Sequence, residues 1–144
     1  MGFLKSSTFS IFISTLMLIS SVCSHAGDDL IIVANTDNKD LILTKIQVKN
    51  LFMRRAFEYE LEPVILPPEH IVRVLFNTNI VGLTESRIQS YWAQMRFGGR
   101  KTEPMQVKTE SLIIEYLLKN KDSIAYLSGN TIVPDDLTIV YSTD

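Results

Sequence analysis

The run Asp29–Ala34 (Asp-Leu-Ile-Ile-Val-Ala) is apolar after its first residue and does not alternate. That pattern predicts a strand covered on both faces, as in α/β sheets. Asn35–Asp40 carries turn chemistry. Thr44-Lys45-Ile46-Gln47 has capping-box spacing and predicts a helix to about Arg55, with Ile46, Phe52 and Leu51 toward the core. Glu62–Leu66 reads as a strand stopped by Pro67-Pro68. Glu69–Asn79 reads as a helix, with prolines and an acidic residue suited to its start. Thr84 caps a third helix, in which Ile88, Tyr91, Trp92 and Met95 form one apolar stripe. Phe97-Gly98-Gly99-Arg100 ends it. Lys101–Lys108 is a polar loop. Thr109 opens a fourth helix, with Glu110 in its first turn and Ile113, Tyr116 and Leu117 on its buried face. Ser123–Leu127 and Leu137–Tyr141 are two more strands. The order β-α-β-α-α-α-β-β predicts one α/β domain with a sheet flanked by about four helices.

The N-terminus follows a different pattern. Lys5, an apolar stretch from Phe9 to Val22 and Ser24-His25-Ala26 have the form of a secretory signal peptide, with cleavage expected at Ala26–Gly27. This sets the expected domains at 1–26, signal peptide, and 27–144, the folded unit. Two weaker readings compete. A retained anchor needs about 20 apolar residues, and this run is shorter and rich in Ser. A lipidated Cys23 would follow a small residue, whereas Val22 precedes it.

Cleavage removes the single Cys, so the mature chain would have neither disulfides nor thiolate metal sites. Removing Lys5 also leaves 13 basic against 16 acidic residues. That balance argues against nucleic acid, and nothing in it suggests a lipid-binding basic face. With the signal removed, no membrane span is expected.

The chain is poor in catalytic chemistry. His70 is the one His left after cleavage. The pairs Asp37/Asp40 and Asp135-Asp136 fall in predicted loops without calcium-loop spacing, so no metal or cofactor is expected. There is no Gly-x-Ser-x-Gly and no Cys nucleophile, which argues against an enzyme. The Gly98-Gly99 turn lacks the context of a phosphate loop. Tyr91-Trp92 reads as core rather than a stacking platform. What remains is oxyanion binding at a helix start, where free amides and the helix dipole favour negative charge. Pro67-Pro68-Glu69-His70-Ile71-Val72-Arg73 is one such start, with an Arg one turn in.

Six segments in order resemble the phosphate-binding type of periplasmic solute-binding proteins. They are Ile31–Asn35, Leu51-Phe52 of an Ile-Phe-x-Gly signature, Glu62–Pro67 and Arg73-x-x-Phe76. Tyr91-Trp92 through Arg96–Arg100 follows, and then Asn120–Tyr126. The resemblance implies a single periplasmic-binding-protein-like lobe with a mixed sheet, a periplasmic location and phosphate or another small oxyanion as ligand. Candidate contacts are Asn35, Glu69, His70 and Arg73.

The departures from the family pattern fall on its phosphate cradle. The receptors carry Arg, then Asp-Gly-Ser-Gly-Thr, then Arg across the strand-to-helix turn. With Arg73 on the last Arg, the leading Arg falls on Leu66, the Ser on His70, the Gly on Ile71 and the Thr on Val72. Ile71 and Val72 offer neither glycine conformations nor hydroxyls. The signature's Gly is also absent, replaced within Met53-Arg54-Arg55. Two readings stay open: a solute-binding-like protein with a degenerate site, or an envelope interaction module that holds no ligand and meets a protein partner through Met53–Tyr59, with Arg54, Arg55, Phe57 and Tyr59.

Overall fold

A computed structural model describes residues 28–55 and 58–144. The expected signal segment with Cys23, and Phe57 of the candidate contact patch, lie outside the described residues. The first strand, β1 (Leu30–Asn35), is followed by helix α1 (Lys45–Phe52) and strand β2 (Glu62–Ile65). Helix α2 (Ile71–Phe76) runs into a π-helical turn, Asn77–Val81, and then comes α3 (Glu85–Phe97). Strand β3 (Met105–Gln106), α4 (Glu110–Lys119), β4 (Ser123–Ser128) and β5 (Thr138–Ser142) complete the chain.

The five strands form one mixed sheet in the order β3-β2-β4-β1-β5. β2 runs parallel to β3 and β4, while β1 is antiparallel to β4 and β5. β1 and β4 are buried along nearly their whole length, which is why both read as continuous apolar runs. Tyr126 on β4 stacks on Phe76 of α2 with ring centroids 4.1 Å apart, and Phe52 of α1 closes the cluster. α1, α2 and α3 thus share the sheet face that Tyr126 occupies, and Trp92 is buried there. α4 lies on the other face, where the Asn35 side chain donates to the Leu117 carbonyl at 2.7 Å.

Local chemistry sets the helix limits. The Thr44 hydroxyl accepts from the Gln47 amide at 3.3 Å, and the Gln47 side chain accepts from the Thr44 amide at 2.8 Å. α1 stops at Phe52 rather than near Arg55, because Arg54 turns left-handed at φ 48°. Ile46 is 71% exposed rather than core-facing; Val48, Leu51 and Phe52 carry the buried stripe. Two residues before Val48, Ile46 lies about 200° around the helix from it. α2 begins at Ile71, not Glu69, because His70 is its N-cap. The π turn ends at Gly82, in the left-handed region at φ 72°, whose amide donates to the Asn77 carbonyl at 2.7 Å.

β3 arises inside the expected polar loop. Two residues are too short to alternate visibly, and their pairing is a backbone matter: the Val107 amide continues it to the Ile65 carbonyl at 2.8 Å. Among the described residues, no helix is long and apolar enough to cross a membrane.

Candidate functional site

The register places the candidate contacts at opposite ends of the sheet. Asn35 pairs with Ser123, and Ser123 pairs with Glu62 at the start of β2. Glu69, His70 and Arg73 follow the other end of β2. Four strand residues separate the level of Asn35 from Leu66, roughly 13 Å. Asn35 is held by Leu117 of α4, and its carbonyl accepts from the Asp122 amide at 2.8 Å. Glu69, His70 and Arg73 therefore share one strand-to-helix turn, with Arg73 turned inward, and Asn35 lies apart.

Within that group each residue has a distinct task. Glu69 is exposed at the turn. His70 caps α2: its Nδ1 accepts from the Val72 amide at 3.3 Å. This uses one of the amides that a helix start could offer an anion. Arg73 is 2% exposed and points inward. Its Nη1 donates to the Leu66 carbonyl at 2.7 Å, and its Nε donates to Glu85 at 2.9 Å. Its Nη2 donates to Glu85 and, at 3.2 Å, to Glu103.

The carboxylate of Glu85 is a hub. It also accepts from Asn77 and from Gln89, each at 2.7 Å. Burial pushes the Glu85 carboxyl up, but the Arg73 hydrogen bonds, with Gln89 and Asn77, hold it below the usual carboxylate range. Burial would lower Arg73, and the carboxylates more than offset this and raise it. Beside them the Tyr126 hydroxyl accepts from the Leu66 amide at 3.1 Å. Burial first of all keeps that phenol well above its ordinary range, against the Leu66 hydrogen bond.

Two carboxylates and one guanidinium thus form a satisfied network under the strand-to-helix turn. A void of about 20 Å³ touches Arg73, Asn77, Trp92 and Tyr126. It has room for a water, not for a tetrahedral oxyanion. The neighbouring helix start is occupied too. Glu110, in the first turn of α4, accepts from the Ser128 amide at 2.7 Å and the Thr131 hydroxyl at 3.1 Å. α4 thereby carries its own anion at the end where an external one would bind.

Sequence reasoning did not find Glu85 and Glu103, the carboxylate partners of Arg73, or Asn77 and Gln89, which donate to Glu85. Glu85 and Gln89 are at i, i+4 on α3, a spacing visible in the sequence, but Glu103 comes from a loop with no periodic signal. Trp92 is core, 2% exposed, whereas Tyr91 is half-buried at the edge of the core, and its hydroxyl donates to the Met53 carbonyl at 2.8 Å.

The sequence matches no protein-family profile and no curated protein. Among solved structures, the fold is similar to that of an ABC-type phosphate transport receptor from Vibrio cholerae. The TM-score is 0.57 at 15% identity, over 79% of this chain and 45% of the receptor. The chain therefore spans less than half of that receptor's length. This chain has the α/β fold of a single periplasmic-binding-protein-like lobe, built on a five-stranded mixed sheet.

Proposed function

We propose that this protein is an exported, non-enzymatic solute-binding-type lobe related to phosphate transport receptors, in which the phosphate site is degenerate. The carrying observation is the commitment of Arg73. Its charge is balanced by Glu85 and Glu103 and its donors are turned inward. The fold similarity supports the ancestry, and the signal-like residues 1–26 support a periplasmic location. Residues 27–144 form the mature unit in this reading. At this strand-to-helix turn a small oxyanion would meet the exposed residues around Glu69 and His70, where water screens the attraction.

The test is calorimetric titration with phosphate, with sulfate as control, of protein recovered from the periplasm of an expressing Gram-negative host. Mass spectrometry of that material should give a chain beginning at Gly27. The expected titration shows no phosphate-selective binding at micromolar concentration. Micromolar, phosphate-selective binding that His70→Ala abolishes would put a working site at the turn and overturn the degenerate-site reading.

A further inference from the structure

Phe97 is 97% exposed, the last residue of a 13-residue helix that otherwise buries Ile88 and Trp92. The helix is stopped by Gly99, left-handed at φ 63°. The Gly99 amide donates to the Arg96 carbonyl at 3.0 Å and the Arg100 amide to the Met95 carbonyl at 3.1 Å. Those two bonds are a Schellman closure, so the turn that presents the phenyl ring is ordered by its own backbone. On one side of it lies a shallow depression touching Tyr91, Met95, Phe97 and Arg100. On the other lies a second, lined by Arg96, Gly99, Arg100, Lys101 and Thr102. Neither depression has an Asp or Glu in its lining.

The cations there are largely unspent. Among the described residues Arg96 and Arg100 make no salt bridge. The Lys101 ammonium donates to the Arg54 carbonyl, and Lys101 and Arg55 border the same adjoining basin. A chain of net charge −2 thus gathers Arg96, Arg100 and Lys101 beside one exposed ring, while the basin that Arg55 borders also holds Glu60, Glu62 and Asp122. The negative end of a helix explains cations at this place, but not a bare phenyl among them. Net charge conceals such a patch, because association follows the local field.

We propose that the C-terminal end of α3 docks on an anionic phospholipid surface, with Phe97 entering the headgroup boundary and Arg96, Arg100 and Lys101 meeting the lipid phosphates. The ring protrudes and is flanked by cations, the arrangement that suits an interface with apolar depth below and negative charge at its level. A peptide partner would want a groove, and both depressions are shallow. Each cation near such a surface strengthens partitioning about fivefold.

The experiment uses the full chain with Phe97→Trp as a fluorescent reporter. Ile132→Trp serves as control, 90% exposed in the segment after β4, at the opposite end of the sheet. Native Trp92 is buried and contributes a constant background. With vesicles of phosphatidylcholine containing about 30% phosphatidylglycerol, the Phe97→Trp emission should shift to the blue, and the Ile132→Trp emission should not. Pure phosphatidylcholine should give no shift. Arg96→Glu with Arg100→Glu, in the Phe97→Trp background and with unchanged circular dichroism, should weaken partitioning by about 25-fold or more. No shift with the anionic vesicles, equal shifts from both reporters, or a shift untouched by charge reversal would each overturn the proposal. The first of these would redirect the patch to an acidic protein partner.

Discussion

Arg73 and Glu85 face each other through paired hydrogen bonds, Nε to Oε2 and Nη2 to Oε1, with the guanidinium buried and the carboxylate at the first position of α3. The pair joins α2 to α3 across a chain segment that includes the π turn. Removing the guanidinium leaves Glu85 and Glu103 facing one another without their cation. Arg73→Ala should therefore destabilise the fold by about 3 kcal/mol, toward the lower end for broken buried pairs because Glu85 keeps some access to water. Urea denaturation should show a lower midpoint at unchanged slope.

The same pair predicts an acid limb in stability. The folded-state pKa of Glu85 lies below its ordinary 4.5, so its contribution is complete above that pH and is lost as pH falls through the folded value. Stability measured against pH should fall on acidification below 4.5, and Glu85→Gln should flatten that part of the curve. An identical acid limb in Glu85→Gln would place the responsible carboxylate elsewhere.

Tyr126 offers a cleaner deletion. Tyr126→Phe keeps the ring stacked on Phe76 but removes the oxygen that accepts the Leu66 amide. A buried amide left unpaired should cost about 1–3 kcal/mol. Hydrogen exchange at the Leu66 amide should quicken by more than exchange at the Ile32 amide within the sheet. An alkaline effect accompanies it. The folded phenol is raised above its ordinary value of 10.0, so its stabilising contribution is present below that pH and lost as pH rises further. Tyr126→Phe should lack that alkaline loss.

Much of this fold was legible in the sequence, and the unread parts have definite causes. The Thr44, Thr84 and Thr109 caps were visible because each hydroxyl needs only residues three positions on. β1 and β4 were visible because both faces are covered. β3 was not, since its two residues hold by parallel backbone pairing to β2 and leave no side-chain pattern. The lack of glycine and hydroxyl side chains across His70, Ile71 and Val72 was also readable, as was Arg73. What Arg73 does instead was not, because Glu103 approaches it from 30 residues away. The separation of Asn35 from His70 likewise depends on strand direction, which no local pattern encodes.

Arg54 lies in the turn that follows α1, and its backbone is left-handed at φ 48°. A side chain there costs about 1 kcal/mol relative to glycine. Its pairing with Glu62 is partly exposed and returns a comparable or smaller amount. Arg54→Gly should be close to neutral, while Arg54→Ala, which keeps the strain and loses the pair, should be less stable than Arg54→Gly by about 1 kcal/mol. Thermal unfolding of the two variants decides the order.

The pairing of β1 with β4 has a consequence for how the chain acquires its shape. Leu30 is matched with Ser128, and the centre of the sheet therefore joins segments from far apart in the chain. Closing so long a loop is entropically unfavourable before any contact rewards it, which places such topologies among the slower folders. Until β4 has emerged from the ribosome, β1 has neither β4 nor β5 beside it, and the aromatic cluster lacks Tyr126. A nascent chain delayed in this way stays unfolded for longer, with the apolar run of β1 uncovered until its partners arrive.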